Sequence, residues 1–363
     1  MKNFERVTIK SGRFFTMNIK LFSLAAVLLT QSIVVSLANV VFNLIPEAGT
    51  PQFAMDGFAA AANRWSSVLA DNITVNVQVG FVPLGQFVIG QAGSDFREHS
   101  YADTRSALGT HRVSAADASS YGALQTGASY NRLINHTSDN PNGANSAVPY
   151  VTTMDRVGMT TANAKALGLL AASASVDAII RFNSTFGFDF DPGNGITGGQ
   201  FDFLGAATHE LGHALGFVSG VDDVDQLGGT VPDEGFSSNL IDLFRFSAAS
   251  LAAGTGFTDL SADNRAKFFS VDGGVTQGPL FSNGFYNGDA RQASHWKDFL
   301  GLGIMDPTAF PGELLAINDN DLRAFDVLGY TLVPEPATGA MLAIGGVVLL
   351  WRRWTCGLAA RCE

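Results

Sequence analysis

Cysteine is nearly absent from this sequence, and the position of its two copies limits what the chain can be. Cys356 and Cys362 both follow a basic segment at the C-terminus, so residues 39–333 contain none. A domain without cysteine has no disulfide framework, no thiol nucleophile and no thiol-based latency switch. Its chemistry must therefore rest on other residue types.

Charged side chains are also scarce, at 15% of the 363 residues, and acidic ones outnumber basic ones by 33 to 22. The net charge of −11 argues against nucleic acid or an anionic membrane surface as a partner. Hydrophobic residues make up 46% of the chain, with 28 Phe and 40 Gly. This composition is typical of a globular chain with a large core and long loops.

Long hydrophobic runs are confined to the two ends. In residues 17–38 a lysine, an apolar run and small residues follow one another, which is the pattern of a secretory signal cleaved after Ala38. Residues 1–38 are therefore predicted to be a signal peptide, with Met17 as the candidate true start. A membrane anchor is the alternative, although Gln31 and Ser32 interrupt its run.

The second run, residues 337–351, is shorter than the roughly 20 residues of an ordinary spanning helix. It is preceded by Pro334, Glu335 and Pro336 and followed by Arg352 and Arg353. This order resembles the PEP-CTERM sorting signal of Gram-negative bacteria and defines a segment over 334–363. The resemblance implies export, temporary membrane retention, and removal of the tail by an exosortase-type enzyme. The protein is then expected at the cell surface or in the extracellular matrix. A plain tail anchor is the alternative.

Between these ends, residues 39–333 form one predicted catalytic domain of mixed secondary structure. Apolar spacing predicts a helix over 52–70 and a final helix over 319–328, and alternation predicts strands over 73–82 and 176–184. Residues 100–170 are expected to form helices on either side of a loop. The order of these elements favours a mixed α/β layer that carries the helix described next.

The sequence "THELGHALG" contains the candidate reactive residues. His209 and His213 are four apart, so on a helix both imidazoles lie on one face and can direct a nitrogen at one zinc ion. Glu210 lies about 100° round the same helix, where it can reach a metal-bound water without ligating the metal. Gly216 is expected to end the helix.

Two histidines do not complete a catalytic zinc site, which normally has three protein ligands. The position six residues after His213, where the long metzincin motif has its third histidine, is Ser219. Asp222 or Asp223 could fold back, but both come late for a short turn. The remaining histidines of the domain are His99, His111, His136 and His295.

His295 belongs to "SHW", and Met305 follows in "GIMDP", before the closing "DLRAFDVLGY". With the HExxHxxG helix, these segments resemble the leishmanolysin-type metzincins and their bacterial relatives. The resemblance implies an α+β domain with a mixed twisted sheet and an active-site helix above a less regular C-terminal subdomain. It implies His209, His213 and His295 as zinc ligands, Glu210 as general base and Met305 as the Met-turn residue. The chain departs from that family in its insertion length and its lack of a cysteine framework.

A second metal is conceivable in the loop "FDFDPGNG". Asp189 and Asp191 could hold Ca²⁺, since alternating carboxylate and carbonyl oxygens suit a hard cation. The alternative is a turn that uses Asp, Pro, Asn and Gly for backbone reasons.

The sequence thus predicts an exported zinc endopeptidase that acts on protein or peptide substrates. The resemblance implies that the pocket for the residue after the cleaved bond lies near the Met-turn, at "DPTAF". Two other functions remain open at this stage. One is a non-catalytic surface or matrix protein that retains a zinc site, and the other is a zinc hydrolase of a non-peptide bond.

Overall fold

The computed structural model describes residues 39–86 and 88–334. The predicted signal peptide, residues 1–38, lies outside this range, as do Glu335, Pro336 and the rest of the sorting segment after Pro334. Within the described part, no helix is both long and apolar enough to cross a membrane.

A four-stranded sheet is built from strands in the first half of the domain. Its strands, in spatial order, are β1 (Val41–Pro46), β2 (Thr74–Val82), β8 (Ala178–Asn183) and β3 (Gly90–Ser94). The first three run parallel, and β3 pairs antiparallel with β8, with Gly90 opposite Phe182. The strands predicted over 73–82 and 176–184 are confirmed as β2 and β8. Strand β3 ends this sheet, so its outer edge has no strand partner among the described residues.

Two helices pack against each other beside this sheet, α1 (Gln52–Ser66) and α5 (Phe203–Ala214). Trp65 is fully buried, and its Nε1 donates to the Thr208 carbonyl oxygen at 2.8 Å. The predicted helix over 52–70 therefore exists but ends four residues early. The chain leaves the helix there because Ala70 N donates to the Thr331 carbonyl oxygen (2.7 Å), an extended contact that a helix would prevent.

The remaining helices are α2 (Tyr101–Thr110), α3 (Ala115–Ala123), α4 (Thr161–Ala166), α6 (Val221–Leu227), α7 (Ala248–Ala253) and α8 (Asp319–Val327). One three-stranded sheet joins β11 (Ser238–Asn239), β7 (Arg156–Thr160) and β4 (Phe96–Ser100), and a second joins β13 (Thr258–Asp259), β5 (Tyr130–Ile134) and β6 (Tyr150–Met154). Two short pairs join β9 (Phe188–Asp189) to β10 (Phe201–Asp202) and β12 (Arg245–Phe246) to β14 (Phe268–Phe269). The expectation of helices and a loop over 100–170 is incomplete, since three strands also form there.

The fold is thus mixed α+β, as predicted, with long irregular segments after α5. Helix α8 begins after Asn318, whose side chain accepts from the backbone N of Asn320 and Asp321, and the chain turns at Gly329 with φ +91°. The predicted final helix is confirmed with its end shifted by one residue.

Candidate metal centre

The first two histidines stand on α5, whose two ends are both fixed by local signals. Asp202 Oδ1 accepts a hydrogen bond from Gly205 N at 2.8 Å and caps the first turn. Beyond the last turn the chain reverses at Gly216, whose φ of +117° favours glycine. This reversal returns the Phe217 carbonyl oxygen to His213, where it lies 2.7 Å from Nδ1.

The three predicted histidines meet at one point. The Nε2 atoms of His209 and His213 are 3.1 Å apart, and each lies 3.2 Å from Nε2 of His295. A tetrahedral zinc ion with Zn–N distances of about 2.0–2.1 Å separates its ligand nitrogens by about 3.3 Å. The triangle therefore has the size of one face of such a site.

The second nitrogen of each ring fixes its tautomer. The Nδ1 atoms of His209, His213 and His295 face the carbonyl oxygens of Ile304 (2.7 Å), Phe217 (2.7 Å) and Gln292 (3.2 Å), respectively. A carbonyl oxygen only accepts, so each Nδ1 carries the proton and each Nε2 directs a lone pair at the other two. Three lone pairs at this distance repel one another unless a cation lies between them, so the donor set fits a metal ion.

The electrostatic surroundings keep these rings neutral. Desolvation lowers the pKa of His209, and desolvation together with neighbouring imidazoles lowers the pKa of His213 to about 3 and that of His295 well below its usual range. Metal competes with protons for imidazole nitrogen, so neutral rings are ready to bind at pH 7. In the part of the chain that the structure describes, this is the one cluster of three or more His, Cys, Asp or Glu residues that could hold a metal ion.

Two of the residues considered as alternative third ligands are engaged elsewhere, and the remaining one lies outside the cluster. Ser219 Oγ donates to Asp242 Oδ1 at 2.6 Å, and the Asp222 carboxylate accepts from the backbone N of Ala293 at 2.6 Å. Asp223 is exposed in the wall of an adjoining cavity. The structure therefore joins His295, and neither aspartate, to the helical pair.

Glu210 lies on the same helix and opens into a cavity of about 220 Å³ that His209 also lines. Desolvation raises the pKa of Glu210 to about 8, with no other group contributing. A carboxyl group with this environment is a stronger base than an exposed glutamate and is a candidate for proton transfer.

Met305 connects the third histidine to the helix. It is fully buried, and a methyl group added at Gly212 would overlap its sulfur, so α5 and the Met305 turn are in direct contact. Its carbonyl oxygen accepts from Trp296 N at 2.9 Å, and Asp321 Oδ1 accepts from Trp296 Nε1 at 2.9 Å. Helix α8 therefore supports the segment that carries His295, a role that its sequence alone did not reveal.

Two cavities lie on either side of the histidines. The smaller, beside Glu210, has Val88, Ile89, Phe182 and Leu315 in its walls, as well as the predicted segment Asp306–Ala309. The larger, of about 670 Å³, adjoins His213 and is lined by polar residues that include Glu98, Asp222, Asp223 and Gln226. Strand β3 borders both, with Gly90 in the smaller and Gly93 and Ser94 in the larger. Strand β3, whose outer edge has no strand partner among the described residues, thus borders a cleft made of these two cavities, beside His209 and His213.

The loop considered for calcium is organised as a turn. Asp189 Oδ1 accepts from Asp191 N at 2.8 Å, and its Oδ2 accepts from the backbone N and Oγ1 of Thr197 at 2.8 and 2.6 Å. Asp191 Oδ1 accepts from Gly193 N at 3.2 Å. These bonds use the aspartate oxygens for backbone reasons, which was the alternative to a Ca²⁺ site.

Sequence patterns gave no signal for β3 or for the cavity walls at Val88 and Ile89. The segment "GQAGS" of β3 lacks the branched and aromatic residues that favour strands, and antiparallel pairing with β8 supplies its conformation. No protein-family model matches the sequence, and neither a curated protein nor a solved structure matches the chain.

Proposed function

We propose that this protein is a zinc endopeptidase that hydrolyses peptide bonds in protein or peptide substrates. One observation carries the proposal: three Nε2 lone pairs meet at 3.1–3.2 Å beside the desolvated carboxyl of Glu210. Three imidazoles leave a fourth position for water, and a purely structural zinc site has no need of an adjacent base.

The chain's own residues supply binding, orientation and proton transfer. Zinc bound by the imidazoles would act as a Lewis acid and lower the pKa of a bound water towards neutrality. Glu210 takes a proton from the water as the water oxygen bonds to the carbonyl carbon. It returns that proton to the amine nitrogen as the C–N bond breaks. The carbonyl oxygens of Ile304 and Phe217 hold His209 and His213 in the tautomer that this requires.

A peptide substrate fits the cleft in extended form. The outer edge of β3 presents backbone N–H and C=O groups to which an extended chain can add as a further strand. A residue after the cleaved bond would then place its side chain in the cavity beside Glu210, whose walls include Ile89, Phe182 and Leu315. Ile89, Phe182 and Leu315 offer apolar contact to that side chain, and Asp306 adds a carboxyl group to the same wall.

The proposal includes a metzincin-like fold of the leishmanolysin type. It is supported by two histidines on α5, by a third that comes 82 residues later, and by Met305 packed against Gly212. The proposed relationship to leishmanolysin-type enzymes would be contradicted if a crystal structure of the zinc-loaded protein showed zinc bound by residues other than His209, His213 and His295.

We also propose that the protein is exported and held at the cell surface or in the extracellular matrix of a Gram-negative-type bacterium. The support is the sequence of residues 17–38 and of 334–353, which export machinery and an exosortase-type enzyme would process. Protein isolated from its host should have an intact mass that begins near Asn39 and lacks the basic tail. A mass that still includes Arg361 would argue for a plain tail anchor.

Zymography on casein or gelatin tests the activity itself. We expect a cleared band that a strong chelator removes and stoichiometric zinc restores, because the metal activates the attacking water. A matrix protein that merely retains zinc gives no band under either condition. A hydrolase of another bond gives no band and instead cleaves a small ester or amide in a chelator-sensitive way.

Asp306 should influence which peptides are cleaved. It lies in the wall of the smaller cavity, where desolvation and the neighbouring Asp298 carboxylate raise the pKa of Asp306 to about 6. Above pH 7 it is ionised, so we expect a peptide with Glu after the cleaved bond to have a kcat/KM about tenfold below that of its Gln analogue. Protonation removes this repulsion, so the Gln/Glu ratio should fall as the pH decreases through 6.

Comparing the two peptides at one pH cancels the effect of pH on the rest of the site. In Asp306→Asn the ratio should be lower at pH 8 than in the unaltered protein and should change little between pH 5 and pH 8. An unchanged ratio in this variant would show that Asp306 does not face the substrate.

A further inference from the structure

The turn between α5 and α6, together with the first turn of α6, is bonded to the loop that carries His295. Asp222 Oδ1 accepts from Ala293 N at 2.6 Å, and Asp222 Oδ2 accepts from both the backbone N (3.0 Å) and Oγ (2.5 Å) of Ser294. A single carboxylate thus holds two successive backbone N–H groups immediately before the third histidine. Charge-assisted bonds of this kind are about twice as strong as neutral ones.

This turn is itself firmly anchored. Ser219 N donates to Ser294 Oγ at 2.9 Å, so the hydroxyl connects both sides of the contact. Ser219 Oγ and Gly220 N donate to the two oxygens of Asp242, at 2.6 and 2.8 Å. Asp222 therefore holds the His295 loop against a fixed support, three residues after Ser219, the position at which the long metzincin motif has its third histidine.

The His295 ring has less direct support than its two neighbours. Its Nδ1 lies 3.2 Å from the Gln292 carbonyl oxygen, whereas the corresponding distances for His209 and His213 are 2.7 Å. The helix also fixes the backbone of those two residues, while His295 lies in an irregular segment. The orientation of His295 thus depends more on what holds its backbone.

We propose that Asp222 is a positioning residue for the third imidazole and that it sets the zinc affinity of the site through Ser294 and His295. The inference rests on the proposed zinc site and adds to it a named residue that touches neither metal nor substrate. It also explains how the site tolerates the long segment between His213 and His295. Asp222, near the start of that segment, binds Ala293 and Ser294 at its end.

Asp222→Asn should weaken zinc binding by about 10- to 100-fold, the range typical of groups that orient metal ligands. Asparagine keeps the size of the side chain but removes its charge. The NH₂ group of the amide would also face one of the backbone N–H groups from which the carboxylate accepts. Asp223→Asn is the matched control, since Asp223 is adjacent, lies in the same cavity wall and is exposed. We expect it to bind zinc as tightly as the unaltered protein.

The experiment measures zinc dissociation constants by competition with a chelator for the unaltered chain, Asp222→Asn, Asp223→Asn, His295→Ala and the double variant Asp222→Asn/His295→Ala. If Asp222 acts through His295, its replacement should have no further effect on zinc once His295 is gone. The melting temperature of each metal-free protein is recorded alongside. A structural role alone would lower that temperature in Asp222→Asn and leave the zinc dissociation constant unchanged.

Ser294→Ala provides the same test by a milder change, in case Asp222→Asn does not fold. It removes the hydroxyl shared by Asp222 and Ser219 and keeps the backbone bonds, so we expect zinc to bind several-fold more weakly. Unaltered zinc affinity in either variant, or an equal loss with and without His295, would overturn the inference. If the unaltered chain itself binds no zinc tightly, the proposed function fails instead, and the two failures are therefore distinct.

Discussion

We expect Glu210→Gln to remove the proposed peptide hydrolysis and to leave zinc bound. Glu210 is not one of the three histidines that could hold the metal, and it lies in the wall of the adjoining cavity. Its replacement therefore removes the proposed proton acceptor without removing a metal ligand. Positioned general bases typically contribute 10²- to 10⁴-fold, and we expect kcat/KM on a quenched peptide to fall by about 10³-fold or more. Zinc per chain, measured by atomic emission, should stay at one.

The fold should tolerate this change well. The surrounding protein already disfavours the charge on Glu210, as its raised pKa of about 8 indicates, and glutamine carries none. Glu234→Gln, at an exposed position, is the matched control and should leave both activity and zinc unaltered. A Glu210→Gln protein that digests casein at the original rate would refute the mechanism proposed above.

The parts of the site that the sequence could predict are those encoded over a few residues. His209, Glu210 and His213 occupy one turn of helix, and Gly216 was expected to end that helix, so periodicity and a glycine stop suffice to predict them. The strands β2 and β8 follow in the same way from alternating apolar residues that are buried in the sheet.

The parts that residue patterns alone could not predict depend on contacts between distant segments. His295 was singled out by a resemblance in "SHW" and "GIMDP", and its place beside His213 results from pairing and packing across 82 residues. Strand β3 exists because β8 is available as its partner, and α1 ends at Ser66 because Thr331 offers a backbone acceptor. Such partners cannot be seen in a local window of sequence.

Asp222 illustrates the difference most clearly. From the sequence it was a rival metal ligand, because it is an acidic residue shortly after the helix that carries His209 and His213. In the structure its two carboxylate oxygens accept from the backbone N of Ala293 and Ser294, the two residues immediately before His295. The acidic side chain pointed to a role near the metal centre, but only the fold shows that its partners are the backbone N–H groups of Ala293 and Ser294.

His295→Ala should lose bound zinc and activity together, as we also expect of His209→Ala. With the Nε2 of His295 removed, the Nε2 atoms of His209 and His213 remain, 3.1 Å apart. The other coordination positions of the zinc can then be filled only by water. We expect zinc per chain to drop well below one after dialysis and kcat/KM to fall at least as far as in Glu210→Gln. His111→Ala, a histidine outside the cluster, controls for the substitution itself.

The aspartate variants separate the two explanations of the third ligand. If His295 is the ligand, Asp223→Ala keeps one zinc per chain, and Asp222→Asn retains a weaker site that excess zinc fills and that still cleaves peptide. If an aspartate were the ligand, one of these two variants would lose zinc at any attainable concentration while His295→Ala kept it. Atomic emission on the purified proteins distinguishes the patterns, because a coordination bond and a hydrogen bond to a neighbouring loop differ in whether added metal can restore the site. A His295→Ala protein that retains one tight zinc and cleaves casein normally would eliminate the displaced-ligand site, and the resemblance to leishmanolysin-type enzymes would lose its main support.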